Sequence, residues 1–134
     1  MSRQWGPRSR RVRDQLCVEL QDAVDFILEN VADISLTTGH RTESEQNALY
    51  PAFTKVQWPN SNHNQNPSLA VDLQPYPYPS REQALREQLT YIAGRVVQWG
   101  IHNGIDIRWG GDWDQDGDVN NNGFDDLFHF EVRV

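Results

Sequence analysis

Leu127-Phe128-His129-Phe130-Glu131-Val132-Arg133-Val134 closes the chain with a period of two. Phe128, Phe130, Val132 and Val134 share one face of the strand this predicts, and Leu127, His129, Glu131 and Arg133 share the other. Upstream, an Asp/Asn/Gly loop runs back from about Asp125 to a second short strand, Ile105 to Trp109. Before that strand, Leu85, Leu89, Ile92, Ala93, Val96 and Val97 recur at helical spacing, with Ser80 and Gln83 as a capping box and Gly104 as the stop. Leu69 to Leu73 reads as a third strand, halted by Pro75, Pro77 and Pro79, and Ile34 to Thr38 as a fourth. Thr42-Glu43-Ser44-Glu45 opens a short helix that ends near Pro51, and residues 51–68, polar and carrying three prolines, read as a long loop. From about Arg13 to Ala32, Leu16, Leu20, Ala23, Val24, Ile27 and Val31 predict one amphipathic helix. Helices and strands alternate without βαβ spacing, which predicts an α+β domain with a small, largely antiparallel sheet packed by helices.

A chain of 134 residues is long enough for one domain with a self-sufficient core. Its apolar fraction of 37% is lean, which favours long polar loops or a bound metal that adds stability. The formal net charge is −7, and six of the acids fall between Asp112 and Asp126 with no basic residue among them. The rest of the chain is nearly neutral, which argues against nucleic acid as a partner. Cys17 is alone, so an intrachain disulfide and a four-thiolate zinc site are excluded; its helical apolar context marks it as a core residue. Arg3, Arg8, Arg10, Arg11 and Arg13 precede no apolar stretch, so residues 1–12 read as a basic solvated tail rather than a secretory signal, ahead of a folded domain over 13–134. No run approaches the ~18 apolar residues of a membrane span. The expectation is a monomer made in the cytoplasm.

Three residues suggest a metal. His63 lies in the polar loop Ser61-Asn62-His63-Asn64, with no apolar partner for an imidazole. Asp72 interrupts Leu69-Ala70-Val71-Asp72-Leu73, where a carboxylate is costly to bury unless paired or metal-bound. His129 sits on the polar face of the last strand beside Glu131. Two imidazoles and a carboxylate with a fourth position open are a usual catalytic zinc shell. Scattered His and Asp residues are more often structural, and on spacing alone both readings stay open.

Their contexts narrow the choice. Ser61-x-His63, Ala70-Val71-Asp72, Trp109-Gly110-Gly111-Asp112-Trp113 and Asp126-x-x-His129-x-Glu131, in that order, resemble the zinc peptidoglycan peptidases of the hedgehog/D-Ala-D-Ala-peptidase fold. That group includes VanY-type D-alanyl-D-alanine carboxypeptidases and phage L-alanyl-D-glutamate endolysins. The resemblance runs from about residue 12 to the C-terminus. One departure stands out: the gap from His63 to Asp72 is two residues longer than the common form, with Pro67-Ser68 where a glycine would fall, as in a variant found among phage members.

The resemblance implies zinc on His63, Asp72 and His129, and a stem-peptide substrate from bacterial peptidoglycan reached by holin-type release. Zinc chemistry needs a base that takes a proton from water and passes it to the leaving amine. The resemblance gives that task to Asp126, with Asp125 as rival. It places Arg41, in Gly39-His40-Arg41-Thr42 to Gln46-Asn47-Ala48-Leu49, at the developing oxyanion or a substrate carboxylate. Glu131 is either a partner of His129, a substrate contact or a solvated strand residue. His40 and His102 read as incidental, and Trp109 and Trp113 as packing residues.

The acidic loop is a separate signal. From Asp114, oxygen-bearing side chains fall at positions 1, 3, 5, 7, 9 and 12 of an EF-hand, but Val119 stands where glycine belongs. From Asp112, Gly117 takes the glycine position, but Gly123 takes the last ligand position. Either frame makes Asp112, Asp114, Asp116, Asp118 and Asp125 candidate calcium ligands, with Asn120 and Asn122 between them. The functional expectation is a zinc-dependent L-alanyl-D-glutamate endopeptidase. A D-alanyl-D-alanine carboxypeptidase of the same fold and a non-catalytic calcium-dependent wall-binding module are the alternatives.

Overall fold

The computed structural model describes residues 3–120, 123 and 125–134. Pro7 opens helix α1, Pro7–Asp14, where its missing N–H is no loss. The segment expected to be a solvated tail is therefore folded: Ser9 and Val12 are buried, and Ser9 Oγ accepts a hydrogen bond from Leu36 N at 3.0 Å. Trp5 and Arg13 both donate to Asp25, which ties this segment to helix α2, Val18–Asn30.

The expected single helix over 13–32 is broken at Gln15–Cys17. The backbone there is used by another partner: Ser68 N donates to Gln15 O at 2.8 Å, and Cys17 N donates to Ser68 O at 2.9 Å. Cys17 is a buried free thiol whose pKa is pushed up by that burial.

Strand β1, Ile34–Thr38, follows as expected, and Thr42 caps helix α3, Glu43–Leu49, with both arms of the capping box formed. A single 3-10 turn, Asn62–Asn64, lies within the long loop. Then come β2, Ala70–Pro75, α4, Glu82–Asn103, β3, Ile107–Trp109, and β4, His129–Val132. Helix α4 starts two residues beyond Ser80, because the chain leaves the proline run extended through Arg81. It ends at Gly104, whose φ of 71° suits glycine and lets Ile105 N reach Gly100 O.

The sheet order is β1-β2-β4-β3, and every pair is antiparallel. Val71, Leu73, Ile107, Trp109, Phe130 and Val132 are buried in one core with Leu20, Val24 and Ile27 of α2 and Leu89, Ile92 and Val96 of α4. Each such side chain contributes roughly 1.5–3 kcal/mol over leaving it exposed, which holds the register against a one-residue slip. The register sets Asp72 opposite His129 and Arg108 opposite Glu131 on the other face. Strand β4 is shorter than its alternating pattern. Residues 127 and 128 belong to a turn in which His129 N donates to Asp126 O, and Val134 is 96% exposed.

Candidate functional site

His63, Asp72 and His129 come together from the 3-10 turn, β2 and β4, with ligand atoms close enough to share one ion. His63 Nε2 lies 3.4 Å and His129 Nδ1 3.5 Å from Asp72 Oδ1. Neither contact is a good hydrogen bond, and Asp72 Oδ1 is a buried oxygen without a partner.

The far side of each ring explains why. His63 Nδ1 lies 2.8 Å from Gly39 O, and a carbonyl can only accept, so the proton is on Nδ1. His129 Nε2 lies 2.8 Å from Glu131 Oε1, which places its proton there. In the neutral rings, then, His63 Nε2 and His129 Nδ1 are lone pairs aimed at a carboxylate oxygen. Three acceptors facing each other call for a positive charge among them, a metal ion or a proton. The electrostatics show the same demand for positive charge: burial penalises the His129 imidazolium, yet Asp72 and Glu131 outweigh it and raise its pKa to about 9, so a proton on Nδ1 facing Asp72 can meet that demand in place of a metal ion. Burial also works against the Asp72 carboxylate, but the two imidazoles hold it below the ordinary carboxylate range. The donor set and its orphaned oxygen fit zinc.

The scaffold around the site is tightly tied. Ser61 caps the turn that carries His63, with its Oγ accepting from His63 N. Arg41 N donates to His63 O at 2.7 Å, and Asn64 Nδ2 donates to Arg41 O. Gln46, 0% exposed, accepts from both Arg41 and Asn64 and donates to Val56 O. Ser68, of the unusual Pro67-Ser68 pair, places its Oγ 3.2 Å from Gly39 O, the carbonyl that orients His63. The longer loop thus returns to the His63 side of the triad.

Asp126 is half-buried beside the triad. Its N donates to Gly110 O, and a Cβ on Gly110 would collide with the Asp126 carbonyl, so only glycine fits there. Burial, and next the Asp72 charge, raise the Asp126 pKa. An open groove of about 1010 Å³, between the first half of α4 and residues 125–128, reaches it. Asp125, its rival, pairs with Arg86 at 3.0 Å. Glu131 is not the solvated strand residue of one sequence reading; it is 4% exposed and hydrogen-bonded to His129 and Arg108.

Residues 1–133 match the sequence model of the phage L-alanyl-D-glutamate peptidase family. The chain belongs to that family. Its fold is similar to the crystal structure of the Serratia marcescens L-Ala D-Glu endopeptidase ChiX, with a TM-score of 0.70 at 21% identity over 95% of this chain and 87% of that one. Among curated proteins, none matches the sequence significantly. Family membership makes this chain a peptidoglycan peptidase, and the small α+β domain with an antiparallel sheet packed by helices that its motifs predict is the one observed.

The acidic loop forms a second grouping. Asp112, Asp114 and Asp116 approach one another; Asp118 and Asp125 are outside that group, and Asn122 lies outside the described residues. Each carboxylate takes a backbone N–H nearby: Asp112 from Gly117, Asp114 from Asp116 and Asp116 from Asp118.

Several contributors were given no role from sequence, Ser68 being marked only as a departure from the common family form. Gly39, Gln46, Ser68 and Arg108 act through the backbone or through other polar groups. Gln46 left a faint trace, since α3 has no apolar residue at the inward position it fills.

Proposed function

We propose that this chain is a zinc-dependent endopeptidase that hydrolyses the L-alanyl–D-glutamate bond in the stem peptide of bacterial peptidoglycan. The observation that carries the reading is the convergence of two imidazole lone pairs on the unpartnered Asp72 oxygen. His63, Asp72 and His129 would hold the ion. When bound, zinc supplies an acidified water and a polarised carbonyl at neutral pH.

The chain's own residues would do the rest. Asp126, partly desolvated and lining the groove, takes a proton from water and delivers it to the leaving amine. The Arg86 ion pair speaks against Asp125 in that role. Arg41, braced by Gln46, offers its remaining N–H groups to the oxyanion or a substrate carboxylate. Glu131 orients His129. Delivery to the wall by holin-type release belongs to the same proposal.

Incubation of the zinc-loaded protein with purified peptidoglycan, with mass spectrometry of the new termini, tests the reading. New L-alanine carboxyl and D-glutamate amino termini support it. Release of terminal D-alanine would reassign the chain to carboxypeptidase chemistry. Absence of both cleavage and stoichiometric zinc would leave the wall-binding alternative.

A calcium site in the Asp112 frame is a second proposal. It is favoured by the approach of Asp112, Asp114 and Asp116 and by Gly117 at φ 82°, the left-handed turn this position of an EF-hand loop uses.

A further inference from the structure

Beside Asp72 and His129, the same face of the sheet carries a charged residue to which the roles above give no task. Arg108 stands opposite Glu131 in the register of β3 and β4. Its Nε and one terminal nitrogen both donate to Glu131 Oε2, at 3.0 and 2.7 Å. A guanidinium facing a carboxylate commonly engages both oxygens. Here both donors fall on one oxygen, and the other, Oε1, is left to His129 Nε2. The guanidinium lies 5.3 Å from the centre of the Trp113 ring, and that ring is 5.4 Å from the His129 ring. Arg108 and His129 are therefore joined twice, through Glu131 and through Trp113.

We propose that Arg108 is a positioning residue for the metal centre, holding Glu131 so that His129 keeps its proton on Nε2 and its Nδ1 lone pair toward the ion. The inference rests on the zinc reading of the triad. Without the guanidinium, the buried Oε2 loses both of its side-chain donors, and the carboxylate is free to turn away from His129. The imidazole then loses its outer anchor, and Nδ1 loses its aim.

The test uses the full chain and measures zinc affinity by competition with a chromophoric chelator, together with the visible spectrum of the cobalt-substituted protein. Arg108→Gln should weaken zinc binding by about 10–100-fold, the range for loss of an outer-shell partner, and should shift the cobalt bands. Arg108→Lys keeps the charge and the stem over Trp113 but offers one nitrogen in place of two, and should fall between. In a Glu131→Gln background, Arg108→Gln should add less than about two-fold, because the relay is already cut.

Wild-type affinity and an unchanged cobalt spectrum in Arg108→Gln would overturn the inference, as would an equal loss in the Glu131→Gln background. Should Arg108→Gln not fold, wild-type affinity in Arg108→Lys would overturn it. A wild-type chain that took up no zinc would overturn the metal reading itself, which is a distinguishable failure.

Discussion

Two groups of acidic side chains and candidate metal ligands lie among the described residues, and they are built by opposite means. His63, Asp72 and His129 come from three separate elements, His129 far along the chain from the other two; they are largely shielded from water, and the outer ring nitrogens of the two histidines are fixed by Gly39 and Glu131. What remains unsatisfied in that group is one buried oxygen facing inward. Asp112, Asp114 and Asp116 come from one loop, are mostly exposed, and accept hydrogen bonds from their own backbone, although Asp112 Oδ1 is, like Asp72 Oδ1, buried without a partner. The first group is the one proposed to hold an ion, and its inward-facing atoms take no hydrogen bond from the backbone. The second has partly supplied its own counter-charge, so an ion adds less there.

Removing a ligand is the strongest way to break this contrast. His63→Ala, Asp72→Ala and His129→Ala should each abolish stoichiometric zinc and lower turnover by more than the ~10²–10⁴ assignable to a general base, since three protein ligands leave no redundancy. Metal analysis and wall-digestion assays check this, and full occupancy with normal turnover in any one variant strikes that residue. Asp114→Ala with Asp116→Ala should leave zinc occupancy intact.

The next effect separates ligand from base. Asp126→Ala should retain zinc and lose about 10²–10⁴ in kcat. Zinc loss would make Asp126 a ligand, and unchanged turnover would pass the base role to Asp125 or Glu131.

A smaller effect concerns the scaffold. Gln46→Ala removes the acceptor shared by Arg41 and Asn64, and an unpaired buried group costs about 1–3 kcal/mol. Thermal denaturation should register that loss, and KM should rise more than kcat falls if Arg41 holds substrate.

These expectations differ in how far they were legible in the sequence. The triad could be read because ligand types in a fixed order of short motifs survive as text. The strands at Ile34 and His129 and the Thr42 cap could be read from local periodicity and capping chemistry. The break in the first long helix could not, because it is made by Ser68, fifty-odd residues away, pairing with backbone whose side chains stay helical in pattern. Arg108 was invisible for a similar reason: its partner lies on a neighbouring strand, and register alone joins them. The two faces of β4 also deceived in part. Alternation predicts one wet face, yet His129 and Glu131 are both buried, because the site itself covers them.

Calcium gives the smallest expected effect and the sharpest test of the contrast. Burial first, and then neighbouring Asp116 and Asp114, raise the pKa of Asp112, so some repulsion survives in the loop. A cation would relieve it, and Asp112 adjoins Trp113, whose ring faces His129. Calcium added to zinc-loaded protein should therefore raise the melting temperature and activity modestly, and Asp114→Ala with Asp116→Ala should blunt both responses. Magnesium should do less, because it demands a tighter octahedral site and dehydrates reluctantly. Calorimetry that detects no calcium binding at millimolar concentration would reduce the loop to a self-capped acidic turn. A calcium response that persisted in the double variant would place the ion elsewhere, and the backbone N–H groups would then suffice to hold the loop's carboxylates together.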